Sequence, residues 1–179
     1  MKIVEPAIWT IGHSTRSIEE FLSIFRSFEI KLLADVRHFP GSRKFPHFNK
    51  QELKESLAKG GIDYLAVPEL GGRRKPRPDS PHTAWRNEAF RGYADHMGTE
   101  DFREGILQLT GLALVKRTAY MCSEAVWWRC HRALISDHLK AKGWKVMHIM
   151  KKDHVIEHPF TSVYLSQQDK QNVKDDKKV

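Results

Sequence analysis

Five short stretches of this sequence read as strands, and segments with helical spacing separate them. They are Ile8–Ile11 (IWTI), Lys31–Val36 (KLLADV), Ile62–Val67 (IDYLAV), Thr118–Cys122 (TAYMC) and Trp144–Met150 (WKVMHIM). KLLADV and TAYMC are apolar nearly throughout, as strands buried on both faces must be. Between the strands, Ile18, Phe21, Leu22, Phe25 and Phe28 form one helical stripe, with Ser14 or Thr15 available as a cap. Further helices are expected at 50–59, ended by Gly60-Gly61, and at 88–97, 101–115 and 130–142. Strands alternating with helices predict an α/β fold: a mostly parallel sheet of about five strands with helices on both faces. A short strand around His154–Glu157 is a further candidate. Residues 1–164 are expected to form a single domain, and the polar, aromatic-free residues 165–179 a disordered tail.

The chain has 179 residues, of which 40% are hydrophobic and 10% aromatic, which argues against general disorder. No apolar run approaches the roughly 18 residues that a membrane span needs. The start, Met1 to Pro6, is too short and too mixed for a signal peptide. With only two cysteines, a disulfide framework is not the organising principle, and a cytoplasmic location is expected. The formal charge of +8 favours anionic partners without choosing among phosphate, nucleotide, nucleic acid and acidic lipid.

In open α/β sheets, ligands sit beyond the carboxyl ends of the strands. After the first strand come Gly12, His13 and Ser14, where glycine permits close backbone approach and a helix start can hold an anion. The plainer alternative is a turn with a serine cap. After the second come Asp35 and Arg37, then Pro40-Gly41-Ser42-Arg43. Asp35 and Arg37 suit either a base with an anion clamp or an ion pair that anchors the loop.

The third strand leads into Gly71, Gly72, Arg73, Arg74, Lys75 and Arg77, a cationic arm with Trp85 nearby. It suits phosphate contacts and base stacking, or only a solvated surface. The fourth strand ends in Cys122-Ser123-Glu124, and the next helix opens with Cys130-His131-Arg132. A cysteine at a helix start beside His and Arg favours the thiolate. Against this, Cys122 continues a buried strand, and His131 shares a face with Leu134, Ile135, His138 and Leu139. Both cysteines are therefore expected to be structural, not nucleophilic. No metal is expected, because a paired CxxC and a fourth ligand are missing, and no cofactor motif is present.

Taken in order, five short motifs carry a family resemblance. They are Thr10-Ile11-Gly12-His13-Ser14, Asp35-Val36-Arg37 with Pro40 and Ser42, Leu70-Gly71-Gly72, Cys122-Ser123-Glu124 and Cys130-His131-Arg132. Over roughly Ile8 to Met150 the sequence resembles the domain of unknown function 488 family. That resemblance implies a fold and a shared site, and no reaction. Trp127-Trp128 departs from the more polar residues usual in the family before Cys-His-Arg.

Three functional expectations follow. The first is an enzyme acting on a phosphate-bearing substrate, either a nucleotide or nucleic acid. Asp35 or Glu124 would be base or nucleophile, and His13 the acid or a positioning group. Ser14, Arg37, Arg43, Gly71, Gly72, Arg73, Cys130, His131 and Arg132 would hold the anion. The second is a non-catalytic nucleic-acid-binding module, which needs only an open basic surface. The third is a thiol-dependent enzyme using Cys130 or Cys122. The first requires Asp35, Arg37, Glu124 and Arg132 to meet around one cavity. The oligomeric state is left open.

Overall fold

The computed structural model describes residues 5–176, with side chains described to residue 170. The elements run β1 (Ala7–Gly12), α1 (Ile18–Ser27), β2 (Leu32–Asp35), α2 (Lys50–Lys59), β3 (Asp63–Ala66), α3 (Glu88–His96), α4 (Glu100–Val115), β4 (Thr118–Cys122), α5 (Arg132–Ala141), β5 (Lys145–Lys151), β6 (His154–Glu157) and α6 (Ser162–Asp176). The strands form one sheet in the order β3-β2-β4-β1-β5-β6. All neighbours are parallel except β6, which pairs antiparallel with β5 at the edge. The expected α/β fold is thus present, with His154–Glu157 as a sixth strand.

Alternation along the strands feeds two cores. Ile8, Tyr120 and Cys122 face α3, α4 and α5, while Trp9, Ile11, Ala119 and Met121 face α1 and α2. Phe21, Ile24 and Phe25 of the stripe on α1 are fully buried. No helix among the described residues is long and apolar enough to cross a membrane.

Local details differ from the sequence expectations for identifiable reasons. Helix α1 is capped by Ser17, whose side chain accepts the Glu20 N–H at 3.1 Å, and not by Ser14 or Thr15. The segment after β1 keeps pairing with the β4 side: His13 N–H donates to Cys122 O (2.9 Å) and Ser14 N–H to Ser123 O (3.0 Å). A helix can begin only after that ladder ends, and Ser14 turns the chain with φ 51°. Helix α5 starts at Arg132 instead of Cys130, because Trp127–Arg129 forms a short 3-10 turn and Cys130 is extended.

Helix α6 begins at Ser162 and runs into the stretch expected to be a disordered tail, as far as Asp176. Thr161 accepts the Tyr164 N–H, and Phe160 stacks on Tyr164 at 4.4 Å, so an ordered start lies just upstream of the polar residues. Residues 177–179 of that stretch, and residues 1–4, lie outside the described residues.

Candidate functional site

The loops leaving β1 and β4, which are neighbours, depart to opposite faces of the sheet: one to α1, the other to α5. Such divergence opens a crevice at the carboxyl edge, the usual ligand position in this architecture. A cavity of about 570 Å³ lies there. His13 and Ser14 line it from β1, Arg37 from β2, Gly72 and Arg73 from the loop after β3, and Cys122, Ser123, Glu124, Arg129, Cys130 and His131 from the β4–α5 connection.

Glycines in these loops serve packing of backbone on backbone. A Cβ on Gly12 would stand 1.7 Å from the Glu124 carbonyl oxygen, so the two diverging loops touch directly. A Cβ on Gly72 would stand 2.7 Å from His131 Nδ1, and one on Gly71 would stand 2.9 Å from His38 Cα. The arm that follows is pinned to α3. Arg74 Nε donates to Gly71 O, and the backbone N–H of Arg77 donates to Asp95 (2.8 Å).

Beneath one wall, Asp35 holds Arg37 through two parallel hydrogen bonds, Nε to Oδ1 at 2.9 Å and Nη2 to Oδ2 at 2.7 Å. The Arg37 backbone N–H and the Tyr64 hydroxyl also donate to this carboxylate. Fork-to-fork pairing of this kind fixes the guanidinium in direction as well as position. Burial and the Asp35 charge push the Tyr64 hydroxyl upward, so it stays a donor. His13 stacks on Phe48 at 4.2 Å and donates from Nδ1 to Ser14 O. Its Nε2 is then an acceptor, 3.4 Å from Arg37 Nη1. Burial, ahead of the Arg37 charge, lowers its pKa to about 4.

The opposite wall gathers both cysteines. They are free thiols, with Cys122 Sγ and Cys130 Sγ in contact. His131 Nε2–H donates to Val36 O at 2.9 Å, which leaves Nδ1 unprotonated and 3.5 Å from Cys130 Sγ. The two sulfurs and one His131 ring nitrogen lie within 4.8 Å of one another, and among the described residues no fourth group joins them. The Arg132 charge acts on the same sulfurs, and its backbone N–H meets Cys130 Sγ at 3.4 Å. A fixed positive charge there suits an anionic sulfur better than a bound cation.

From Arg132 a chain of buried hydrogen bonds runs under β1 and β5. Arg132 Nη1 meets Thr10 Oγ1 (3.0 Å), Thr10 Oγ1 meets His148 Nδ1 (3.0 Å), His148 Nε2 meets His158 Nδ1 (2.8 Å) and His158 Nε2 meets Asp137 Oδ1 (2.9 Å). Asp137 also accepts from the Thr161 N–H and hydroxyl. Trp127 lies flat on His148, at 4.5 Å and 4° between planes. Burial, then His158 and Arg132, lower the His148 pKa to about 2, so the ring is neutral.

A family model described as "Domain of unknown function DUF488" matches residues 17–139, more than half of the chain. The chain belongs to the DUF488 family. The matched span is narrower at both ends than the stretch that carries the motifs, and it begins after Gly12-His13-Ser14. No curated protein and no solved structure matches.

In this DUF488 member, eight of the twelve residues singled out from the sequence line the cavity and four do not. His13, Ser14, Arg37, Gly72, Arg73, Glu124, Cys130 and His131 line the cavity. Asp35 and Arg132 do not line it; each is 1% exposed and lies behind the wall. Gly71 is buried against His38, and Arg43 points to solvent. Four charged residues expected around one cavity therefore divide into two on its wall, Arg37 and Glu124, and two that brace it. Trp127 and Trp128 do not line the cavity; Trp127 covers His148, and Trp128 packs edge-on against Trp127.

The sequence reading gave no site role to Thr10, Tyr64, Ser123, Arg129, Asp137, His148 and His158. The available signal was a polar residue inside an otherwise apolar strand, Thr10 in β1 and His148 in β5. Buried polar groups of that kind require partners.

Proposed function

We propose that this protein is an enzyme acting on a phosphate-bearing substrate bound in the cavity at the carboxyl edge of the sheet. The observation that supports it is the convergence of Arg37, Arg73 and Arg129 with His13 and Glu124 around one cavity. Three guanidinium groups around a pocket suit a compact polyanion, because planar forks match phosphate oxygens in pairs. Arg37 is held in place by Asp35 before any ligand arrives, and preorganised donors of this kind act most strongly where water is excluded. His13 is neutral at ordinary pH and has the role of a proton acceptor, not an acid. Asp35 has the role of a positioning group, since Arg37 and Tyr64 occupy both of its oxygens. Glu124 is the exposed carboxylate of the wall.

Calorimetric titration of the full chain with inorganic phosphate, a nucleoside monophosphate and a 20-nucleotide RNA tests this. Saturable binding of the small anions, weakened about tenfold or more in the double variant Arg73→Gln, Arg129→Gln, supports the proposal. Binding of the RNA alone, with a steep salt dependence and no competition by phosphate, would instead indicate a nucleic-acid-binding module.

A further inference from the structure

We infer that Cys130 is held as a thiolate by Arg132 and is the nucleophile of the cavity. The sequence alone favours a structural role for this cysteine; the packing around Arg132 points the other way.

Arg132 is 1% exposed, yet among the described residues no carboxylate lies within ion-pair distance of it. Two of its nitrogens have neutral partners: Nη1 donates to Thr10 Oγ1, and Nη2 donates to Glu124 O at 2.6 Å. Its Nε is buried and has no hydrogen-bond partner among the described residues. A buried cation without a counter-charge costs several kcal/mol, so the fold must supply an anion. The two sulfurs are the groups beside the guanidinium that can become one.

Of the two, Cys130 is the better anion. It precedes α5 by two residues, so the positive end of that helix is close, and the Arg132 backbone N–H donates to its Sγ at 3.4 Å. Cys122 also touches it and can donate its S–H. Burial works against ionisation of Cys130, but the Cys122 hydrogen bond and the Arg132 charge outweigh it and bring the pKa down to about 7. Burial pushes the Cys122 thiol up, so the shared proton stays there.

The remaining groups around the sulfur are neutral or positive. His131 is neutral, with its pKa lowered by burial. Tyr93 from α3 and Tyr120 from β4 are buried with raised pKa values, and remain protonated. Arg74 adds positive charge from the loop beyond Gly72. Cys130 is also on the cavity wall, where an incoming electrophile can meet it.

The electrophile rests on the proposed phosphate-bearing substrate; the thiolate does not. With a phosphate monoester bound, the Cys130 Sγ lone pair attacks phosphorus. A sulfur–phosphorus bond forms as the bond to the ester oxygen breaks. The leaving oxygen keeps that electron pair and takes a proton from solvent. Water then attacks phosphorus while His13 Nε2 accepts its proton and passes it to solvent. The sulfur–phosphorus bond breaks, and its electron pair returns to Cys130 as the thiolate opposite Arg132. Ester and water become alcohol and inorganic phosphate, with no oxidant or reductant required.

The test is alkylation of the reduced full chain by iodoacetamide across pH, with the modified cysteine located by peptide mass spectrometry. Cys130 is expected to react first, with a midpoint near pH 7. Arg132→Gln should slow its reaction at pH 7 about fivefold, the effect of raising the pKa from about 7 by about one unit. Cys122→Ala, which keeps Arg132, should slow it by a smaller factor, and serves if Arg132→Gln fails to fold. A midpoint near the free-thiol value of about 8.5, thiols locked in a disulfide that resists reductant, or a stoichiometric metal that blocks alkylation would overturn the thiolate. A phosphate-ester assay separates the two layers. Turnover abolished by Cys130→Ser upholds the nucleophile, and turnover unaffected by Cys130→Ser overturns it. A thiolate midpoint near 7 without any ester turnover sinks the phosphate-bearing substrate and leaves the thiolate standing.

Discussion

Arg132 and Asp137 stand at the two ends of one chain of hydrogen bonds that runs in a single direction. Arg132 gives a proton to Thr10, Thr10 to His148, His148 to His158 and His158 to Asp137, and every ring nitrogen on the way is used once. A buried cation and a buried anion are thereby linked through a hydroxyl and two imidazoles in series, and each bond in such a series strengthens the next. Arg132 is held from behind by this chain, and its backbone N–H meets Cys130 Sγ at 3.4 Å.

Breaking the chain in its middle gives the cleanest test of its contribution. Thr10→Val keeps the shape of the side chain but strands Arg132 Nη1 and His148 Nδ1. Two buried polar groups without partners predict a loss of about 3 kcal/mol in unfolding free energy, measured by urea denaturation. A loss under about 0.5 kcal/mol would mean that water or a rearranged side chain fills the place.

Asp35→Ala leaves the Arg37 guanidinium buried without its carboxylate. Removing one partner of such a pair predicts a loss of about 3 to 5 kcal/mol. The double variant Asp35→Ala, Arg37→Met should recover part of it, because both charges are then gone. Chemical denaturation of the two variants side by side decides this.

Gly12→Ala tests the contact between the two diverging loops. The new methyl group would overlap the Glu124 carbonyl oxygen, and neither atom belongs to a flexible side chain. A loss above about 3 kcal/mol is expected, together with changed amide shifts in Ser123–Ala125 by NMR.

Acid should destabilise the protein through its buried histidines. His13 and His148 have folded pKa values near 4 and 2, below the unfolded value of about 6.5. Above that value both states are neutral and pH has no effect through these groups. Below it the unfolded chain takes up protons that the folded chain refuses, so stability falls as pH falls. Around pH 5 the two together contribute a slope of about 2.5 kcal/mol per pH unit. His148→Gln should remove about half of it, as read from urea midpoints at pH 7, 6 and 5.

The sequence made the sheet legible because each strand is a short apolar run bounded by turn residues, and the stripe on α1 left no ambiguity of period. The loops that build the cavity were legible too, since polar residues and glycines collect after β1, β2, β3 and β4. Which of those residues face the cavity was not. Asp35 and Arg37 are two apart on one strand end, and spacing cannot say that one would be consumed in holding the other. Arg132 reads as an anion clamp by its chemistry, but its helix turns it inward. The partners of the buried chain lie as far apart as Thr10 and His158, and only the order of strands brings them together.

Because the walls of the cavity leave the sheet in opposite directions, no contiguous piece of this chain carries the whole site. The half that includes α1 and α2 brings His13 and Arg37; the half that includes α5 brings the cysteines and Glu124. Such a site cannot be borrowed by grafting one loop or one βα unit onto another scaffold. It is inherited whole or lost, and chains that share it must share the strand order that makes its two sides neighbours.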